Sequence, residues 1–122
     1  MNDADRHFQE TIGAVPESVA VLRRHAPELF RSYAETRARL YKPPPDGQLD
    51  LAAKELVFIV LDVVAGHVDG ARAHAAAGIA AGLTPGQIME ALEICILVHG
   101  HHTWAKAGMA VMQHVEQLVQ AK

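Results

Sequence analysis

Residues 51–74, LAAKELVFIVLDVVAGHVDGARAH, decide the fold that we expect for this chain. The first fifteen residues carry apolar side chains around almost the whole helical circumference, and Asp50 is a plausible N-cap before them. Gly66 marks a break, after which a second helix is predicted over residues 68–81, with Gly82 as its stop. Because a helix that is apolar all round must be covered all round, this stretch predicts a core made of helices.

The rest of the chain also predicts helices, and no segment alternates apolar and polar residues between hairpin turns as strands do. Residues 84–87 combine a Thr-x-x-Gln capping box with proline at the first helical position. Three prolines followed by Asp-Gly make residues 43–47 the one clear linker. Outside the opening stretch, helices are predicted over residues 15–25, 27–42, 84–99 and 102–120. We therefore expect an all-α bundle of about six helices, in a single domain over residues 1–122.

Composition and charge exclude several classes of protein. The 122 residues include 11 Lys+Arg and 14 Asp+Glu, a formal charge of −3, so the chain has no basic surface typical of nucleic-acid binding. The single cysteine excludes an internal disulfide framework and a Cys-x-x-Cys pair. The longest apolar stretch, residues 56–65, is too short for a membrane span, and the N-terminus lacks the apolar core of a signal peptide. We expect a cytoplasmic protein with no nucleic-acid or membrane partner.

Two predicted helices are apolar around nearly their whole circumference, one over residues 51–65 and the other over residues 88–98. A chain of this size has few other helices with which to cover both. Either one helix is central and the other is covered within the chain, or other subunits cover part of this surface. We expect the second arrangement, in which the chain forms a homo-oligomer.

The polar residues within and after the apolar helix are the candidates for chemistry. Glu55 and Asp62 are seven residues apart, so they share one helix face, and His67 and His74 have the same spacing on the next helix. Ionised carboxylates are rarely buried without partners, so these acids either face a polar cleft or are paired within the fold. A lone helical histidine is usually a surface or satisfied core residue, but a group of acid, histidine and arginine residues on adjacent helices fits a functional site equally well.

Several of these segments together resemble the carboxymuconolactone decarboxylase family, which also contains the alkylhydroperoxidase D-like proteins. The resemblance covers residues 30–118 and is strongest over 51–100. It implies an all-helical fold that assembles into homo-oligomers, often hexamers, with a trimer as the next expectation. The segments that carry it are KELV at 54–57, HVDGARAH at 67–74, AGIAAGLT at 77–84, IMEAL at 88–92 and His99-Gly100.

The redox branch of this family has a glutamate, a Cys-x-x-Cys pair after eleven residues, and a histidine three residues later. By this resemblance, Glu55 matches the glutamate and His74 the histidine, whereas His67 and Gly70 stand in place of the two cysteines. The remaining thiol, Cys95, lies in an apolar run typical of core packing. Because thiol–disulfide turnover within one chain needs a second thiol, we do not expect dithiol peroxidase activity.

The branch without cysteines implies a decarboxylase or lyase that acts on a small carboxylated lactone or a related cyclic acid. Loss of carbon dioxide requires a proton donor and positively charged or hydrogen-bonding groups around carboxylates. We expect no cofactor and a small-molecule organic acid as the ligand. The expected catalytic residues are Glu55, His67 and His74, and the expected substrate-binding residues are Asp69, Arg72, His99 and His101.

Two other classes stay open at the level of sequence. A metal could be held by His67, His74 and Glu55, although the chain lacks the His-Glu-x-x-His spacing of a helix-borne metal pair. Alternatively, the chain is an alkylhydroperoxidase-like relative that has lost its redox cysteines and acts as a non-catalytic module. The histidines of residues 99–102 also fit a solvated helix end, and Trp104 fits a core anchor.

Overall fold

The computed structural model describes residues 2–121, which form seven α-helices and no strand. This confirms the predicted all-α fold. The helices are α1 (Asp3–Ile12), α2 (Glu17–His25), α3 (Pro27–Leu40), α4 (Leu51–Ala65), α5 (Val68–Ala80), α6 (Pro85–His99) and α7 (Met109–Gln120). A π-helical segment, Trp104–Gly108, directly precedes α7. The chain divides into two compact units, Met1–Asp50 and Leu51–Lys122, so the predicted single domain over residues 1–122 stays a prediction.

The helix boundaries follow the local signals in the sequence. Helix α4 has the predicted bounds, and α6 begins after the predicted capping box. There the backbone N–H of Gln87 donates to Thr84 Oγ1 at 3.1 Å, and the N–H of Thr84 donates to Gln87 Oε1 at 2.9 Å. Helix α1 was not predicted, although Asn2 caps it through a hydrogen bond from the N–H of Asp5. None of the seven helices is long and apolar enough to cross a membrane among the residues described.

The last helical stretch, predicted over residues 102–120, contains an irregularity that the sequence analysis missed. Its first turns widen into the π-helical segment before α7 begins. A Cβ added at Gly108 would lie 3.0 Å from the ring of Trp104, so glycine lets this ring lie close to the helix backbone. Trp104 is partly buried against the core of its unit, which agrees with its predicted role as an anchor.

The N-terminal unit contains a polar cluster centred on Arg37 of α3. The guanidinium donates hydrogen bonds to Thr11 Oγ1 at 2.6 Å, to His7 Nε2 at 3.0 Å and to the Tyr41 hydroxyl at 3.1 Å. It also lies over the rings of Phe8 and Tyr41. Because a guanidinium has no acceptor, His7 Nε2 must be unprotonated for its hydrogen bond to form. Burial and the charge of Arg37 lower the pKa of His7, and Glu10 opposes them in part.

This cluster predicts that the N-terminal unit loses stability as the pH falls below about 6.5, the ordinary pKa of histidine. In that range the unfolded chain binds a proton at His7 that the folded chain excludes, so protons favour unfolding. The loss continues until the pH reaches the lowered pKa of the folded state. We expect about 0.5 kcal/mol, because solvent screens this partly exposed group.

The measurement is urea unfolding at pH 7.5 and pH 5, followed by second-derivative absorbance of the tyrosines. Both tyrosines, Tyr33 and Tyr41, lie in the N-terminal unit. The control is His7→Gln, which can still accept from Arg37 but does not titrate. An equal loss of stability in the parent and in this variant would contradict the assignment to His7.

In the second unit, α4 and α5 pack closely because α5 presents small residues to the larger apolar side chains of α4. Ile59 and Val63 of α4 and Ala71 and Ala75 of α5 belong to one fully buried cluster. At Gly78 an added Cβ would meet Leu83 at 2.7 Å and the Cβ of Glu55 at 3.5 Å, so glycine permits the contact. The antiparallel pair of helices thus brings polar residues of α4 against those of α5.

Candidate functional site

The central feature of the site is a buried pair formed by Glu55 and His74. Glu55 Oε2 lies 2.7 Å from His74 Nδ1, and the two residues are only 3% and 9% exposed. A carboxylate oxygen accepts but does not donate, so Nδ1 carries the hydrogen and Nε2 is the atom left to interact with a ligand. The two residues predicted to match the family's glutamate and histidine therefore meet directly.

The imidazole of His74 is fixed on a second side by an aromatic ring. Phe58 of α4 stacks on it with ring centroids 4.5 Å apart and an angle of 14° between the planes. The ring is thus held by a hydrogen bond in its plane and by a stacked neighbour across its face. A histidine held in this way has one defined orientation, which a proton donor requires.

His67, the third expected catalytic residue, pairs with a different acid. It lies at the N-terminus of α5, where its Nδ1 is 3.5 Å from Oδ1 of Asp62. Its side chain is 69% exposed and that of Asp62 24% exposed, so this pair is open to solvent where the Glu55–His74 pair is buried. Sequence reasoning noticed Asp62 but did not include it among the site residues.

Asp69 and Arg72 lie on the solvent-exposed side of α5. Arg72 donates to Asp69 Oδ1 at 3.2 Å, one turn apart on the same helix, and the Asp69 side chain is fully exposed. This geometry is an ordinary surface ion pair, of small value to stability. The guanidinium is free to exchange this partner for a carboxylate from a ligand, which is the role predicted for Arg72.

His99 and His101 lie elsewhere in the unit. Both are exposed, and His99 lines an apolar groove of about 540 Å³ between α4 and α6. The α4 residues that line this groove lie about 100–240° around the helix from Glu55; they are Ala53, Leu56, Val57, Val60, Leu61 and Val64. The expectation that His99 lies at the rim of the Glu55–His74 site therefore does not match its position, because α4 stands between them.

Cys95 lies in the wall of the same groove and is buried. Burial raises the pKa of its thiol, so the reactive thiolate is disfavoured. The only cysteine of the chain thus lies on α6, outside the positions where the redox branch has its pair.

We therefore predict no dithiol-dependent peroxide consumption. Peroxide turnover with a dithiol reductant should equal the rate without protein, and Cys95→Ala should leave that result unchanged. Both are measured by loss of peroxide. Turnover comparable to that of a Cys-x-x-Cys relative would contradict this prediction.

For the alternative of a metal site, the residues that the structure describes do not form a set of ligands. Within residues 2–121 no group of three or more His, Cys, Asp or Glu side chains is placed to hold a metal ion. The three residues proposed as ligands are divided between two pairs, because Glu55 binds His74 whereas His67 faces Asp62. Two side chains in contact are fewer than the three protein ligands typical of a catalytic zinc site.

Sequence reasoning missed Phe58 and Gly78, which shape the buried pair. Phe58 belongs to an apolar run, and nothing in a single sequence distinguishes a ring that stacks on His74 from one that fills the core. Gly78 carried a usable signal, since glycine inside a predicted helix often marks a close approach between helices.

Comparison with known proteins gives one family match and one structural match. The sequence model of the carboxymuconolactone decarboxylase family matches residues 27–114. Among solved structures, a candidate carboxymuconolactone decarboxylase from Burkholderia xenovorans LB400 superposes with a TM-score of 0.89 at 28% sequence identity. The match covers 97% of this chain and 90% of that one. A search of curated proteins finds no significant match.

Proposed function

Because the chain belongs to the carboxymuconolactone decarboxylase family, we propose that it is a lyase that removes carbon dioxide from a small lactone bearing carboxylate groups. The single observation that carries the proposal is the buried hydrogen bond between Glu55 and His74. It supplies an oriented histidine at the position that matches the histidine of the family's redox branch. Fold alone would not support an activity, so the proposal rests on this pair.

In the proposed reaction, the bond between the ring carbon and the departing carboxylate breaks. Its electron pair moves into the conjugated lactone carbonyl, carbon dioxide leaves, and a proton from His74 Nε2 reaches the carbon that becomes electron-rich. The Glu55 carboxylate accepts from Nδ1–H throughout, so it orients the ring and stabilises its positively charged form. Solvent then returns the proton to His74.

A second carboxylate of the substrate would bind to cationic or donor groups on the exposed part of α5. Arg72 offers two parallel N–H groups to a carboxylate, a geometry that gives both strength and direction. His67 lies five residues earlier, near the start of the same helix. The two residues thus provide candidate contacts for the end of the substrate that does not react, Arg72 for its carboxylate and His67 for a hydroxyl or protonated carboxyl beside it.

The test is carbon dioxide release and loss of lactone absorbance with carboxymuconolactone and with related carboxylated lactones. We expect turnover by the parent protein and a loss of about 100-fold or more in Glu55→Gln, because the removed group orients the proton donor. Glu90→Gln is the matched control, since it removes one exposed carboxylate from α6. We expect its activity to equal that of the parent.

Absence of turnover with every lactone would overturn the proposal. Binding of the lactones without turnover would favour the second candidate, a non-catalytic module on the same scaffold. Equal activity in Glu55→Gln and the parent would show that the pair serves only the fold.

We also propose that the protein acts as a homo-oligomer, hexameric or trimeric, in the cytoplasm. The support is an apolar surface beside the α4–α6 groove that includes Leu61 (63% exposed), Leu97 (84% exposed) and Val98 (67% exposed). Exposed apolar side chains that lie together on two adjacent helices are typical of a protein interface. Family membership adds the expectation that a second copy of the chain is the partner.

A further inference from the structure

The connection between α4 and α5 holds Asp62 and His67 in a fixed relation. The backbone N–H of His67 donates to the carbonyl oxygen of Asp62 at 2.8 Å, so the turn places the two residues side by side. Their side chains then approach, with Asp62 Oδ1 3.5 Å from His67 Nδ1. This distance is an electrostatic contact rather than a short hydrogen bond, as suits an exposed pair.

Gly70 provides the space in which the Asp62 carboxylate lies. A Cβ added at Gly70 would lie 2.6 Å from Asp62 Oδ2 and 3.2 Å from its carboxyl carbon. Any larger residue at this position would displace the carboxylate. The Asp62 carboxylate on α4 therefore depends on the glycine on α5, although the two residues are eight apart in the sequence.

The same arrangement of a carboxylate and a histidine Nδ1 occurs twice along the α4–α5 pair. Glu55 and Asp62 are two turns apart on α4, and His74 and His67 are two turns apart on α5. The two pairs differ in burial, since the Glu55 side chain is 4% exposed and that of Asp62 is 24% exposed. The Glu55–His74 pair is largely buried, whereas the Asp62–His67 pair faces solvent.

We propose that Asp62 is a positioning residue for His67, which it holds in the tautomer with the hydrogen on Nδ1. In that tautomer the solvent-facing Nε2 keeps its lone pair and is the basic atom of the pair. Other charged groups at this turn are Asp69, which binds Arg72, and Lys106, whose Nζ would lie 2.8 Å from a Cβ added at Gly66.

The consequence for the ligand is that His67 accepts a hydrogen bond or a proton through Nε2. The matching ligand group is a hydroxyl or a protonated carboxyl, and its place beside the Glu55–His74 pair rests on the proposed function. The tautomer itself does not, because it is a property of the protein without ligand. Its measurement therefore succeeds or fails independently of any decarboxylase activity.

The test is the tautomer of the His67 ring, measured from the ¹⁵N chemical shifts of its two nitrogens at a pH where the ring is neutral. His67→Gln assigns the signals. We expect the parent to hold a larger share of the Nδ1–H form than the variant without the Asp62 carboxylate. In Asp62→Ala the ratio of the Nδ1–H to the Nε2–H form should fall by about two- to fivefold, the size expected of an exposed carboxylate contact.

Two further variants distinguish the direct contact between Asp62 and His67 from the general effect of a negative charge near His67. Gly70→Ala keeps the Asp62 carboxylate but displaces it, so it should lower the ratio as Asp62→Ala does. Asp69→Ala removes a carboxylate two residues from His67 that binds Arg72 instead, so it should leave the ratio unchanged. An unchanged ratio in Asp62→Ala, or an equal fall in Asp69→Ala, would overturn the proposal.

Discussion

Replacing His74 by leucine is expected to lower the free energy of unfolding by about 3–5 kcal/mol, the usual cost of leaving a buried carboxylate without its partner. The variant leaves the Glu55 carboxylate buried with its 2.7 Å hydrogen bond lost. A charge that has neither water nor a partner is far less stable in a folded chain than in an unfolded one. The measurement is urea unfolding, followed by circular dichroism at one fixed protein concentration.

A double variant distinguishes an unpaired charge from a simple loss of packing. In Glu55→Met/His74→Leu both polar partners become apolar groups of similar size, a change that is often neutral for buried pairs. We therefore expect the double variant to be more stable than His74→Leu alone. A double variant less stable than His74→Leu would contradict the electrostatic explanation and would assign the loss to packing.

Placing a charge on the apolar surface of α4 and α6 is expected to dissociate the proposed oligomer. Leu97→Glu removes an exposed apolar side chain from the proposed interface and would bury a carboxylate there. Burial of one leucine contributes about 1.5–3 kcal/mol, which is about 10- to 150-fold in the dissociation constant, and burial of a carboxylate should raise that constant further. Light scattering at micromolar concentration should show a multiple of 13.2 kDa for the parent and the monomer for the variant.

Leu29→Glu is the matched control, because Leu29 is an exposed leucine in the N-terminal unit, outside the groove. We expect it to keep the oligomeric mass of the parent. A parent protein that scatters as a folded monomer would show that α4 and α6 leave their apolar surface open to solvent. Dissociation by Leu29→Glu and not by Leu97→Glu would place the interface elsewhere.

These two predictions concern opposite sides of α4. The side that carries Glu55 faces α5 and holds the buried pair, and the side that carries Leu61 faces the groove. The helix is therefore apolar all round for two different reasons, an internal core and a surface suited to a second subunit. Variants at the groove should leave the buried pair unchanged, so Leu97→Glu should not alter the Glu55–His74 hydrogen bond.

The sequence determined the helices because their signals are local. The capping box at Thr84 and Gln87 involves residues three apart, and both of its hydrogen bonds form in the structure. The residues of α4 are apolar except for Lys54, Glu55 and Asp62, so its bounds needed no knowledge of the rest of the chain. Helix α1 was missed because most of its ten residues are polar. Its one buried side chain, Phe8, packs in the N-terminal unit.

The sequence also determined which residues on α4 and α5 could meet, because equal spacings of seven on two adjacent helices allow two aligned pairs. It did not determine how the acids and histidines pair, whether each pair is buried, or on which side of α4 His99 lies. Those features depend on the rotation and depth of one helix against another. Only the tertiary structure decided them, because residues from different parts of the chain, such as Phe58, Gly78 and Leu83, set how closely two helices approach.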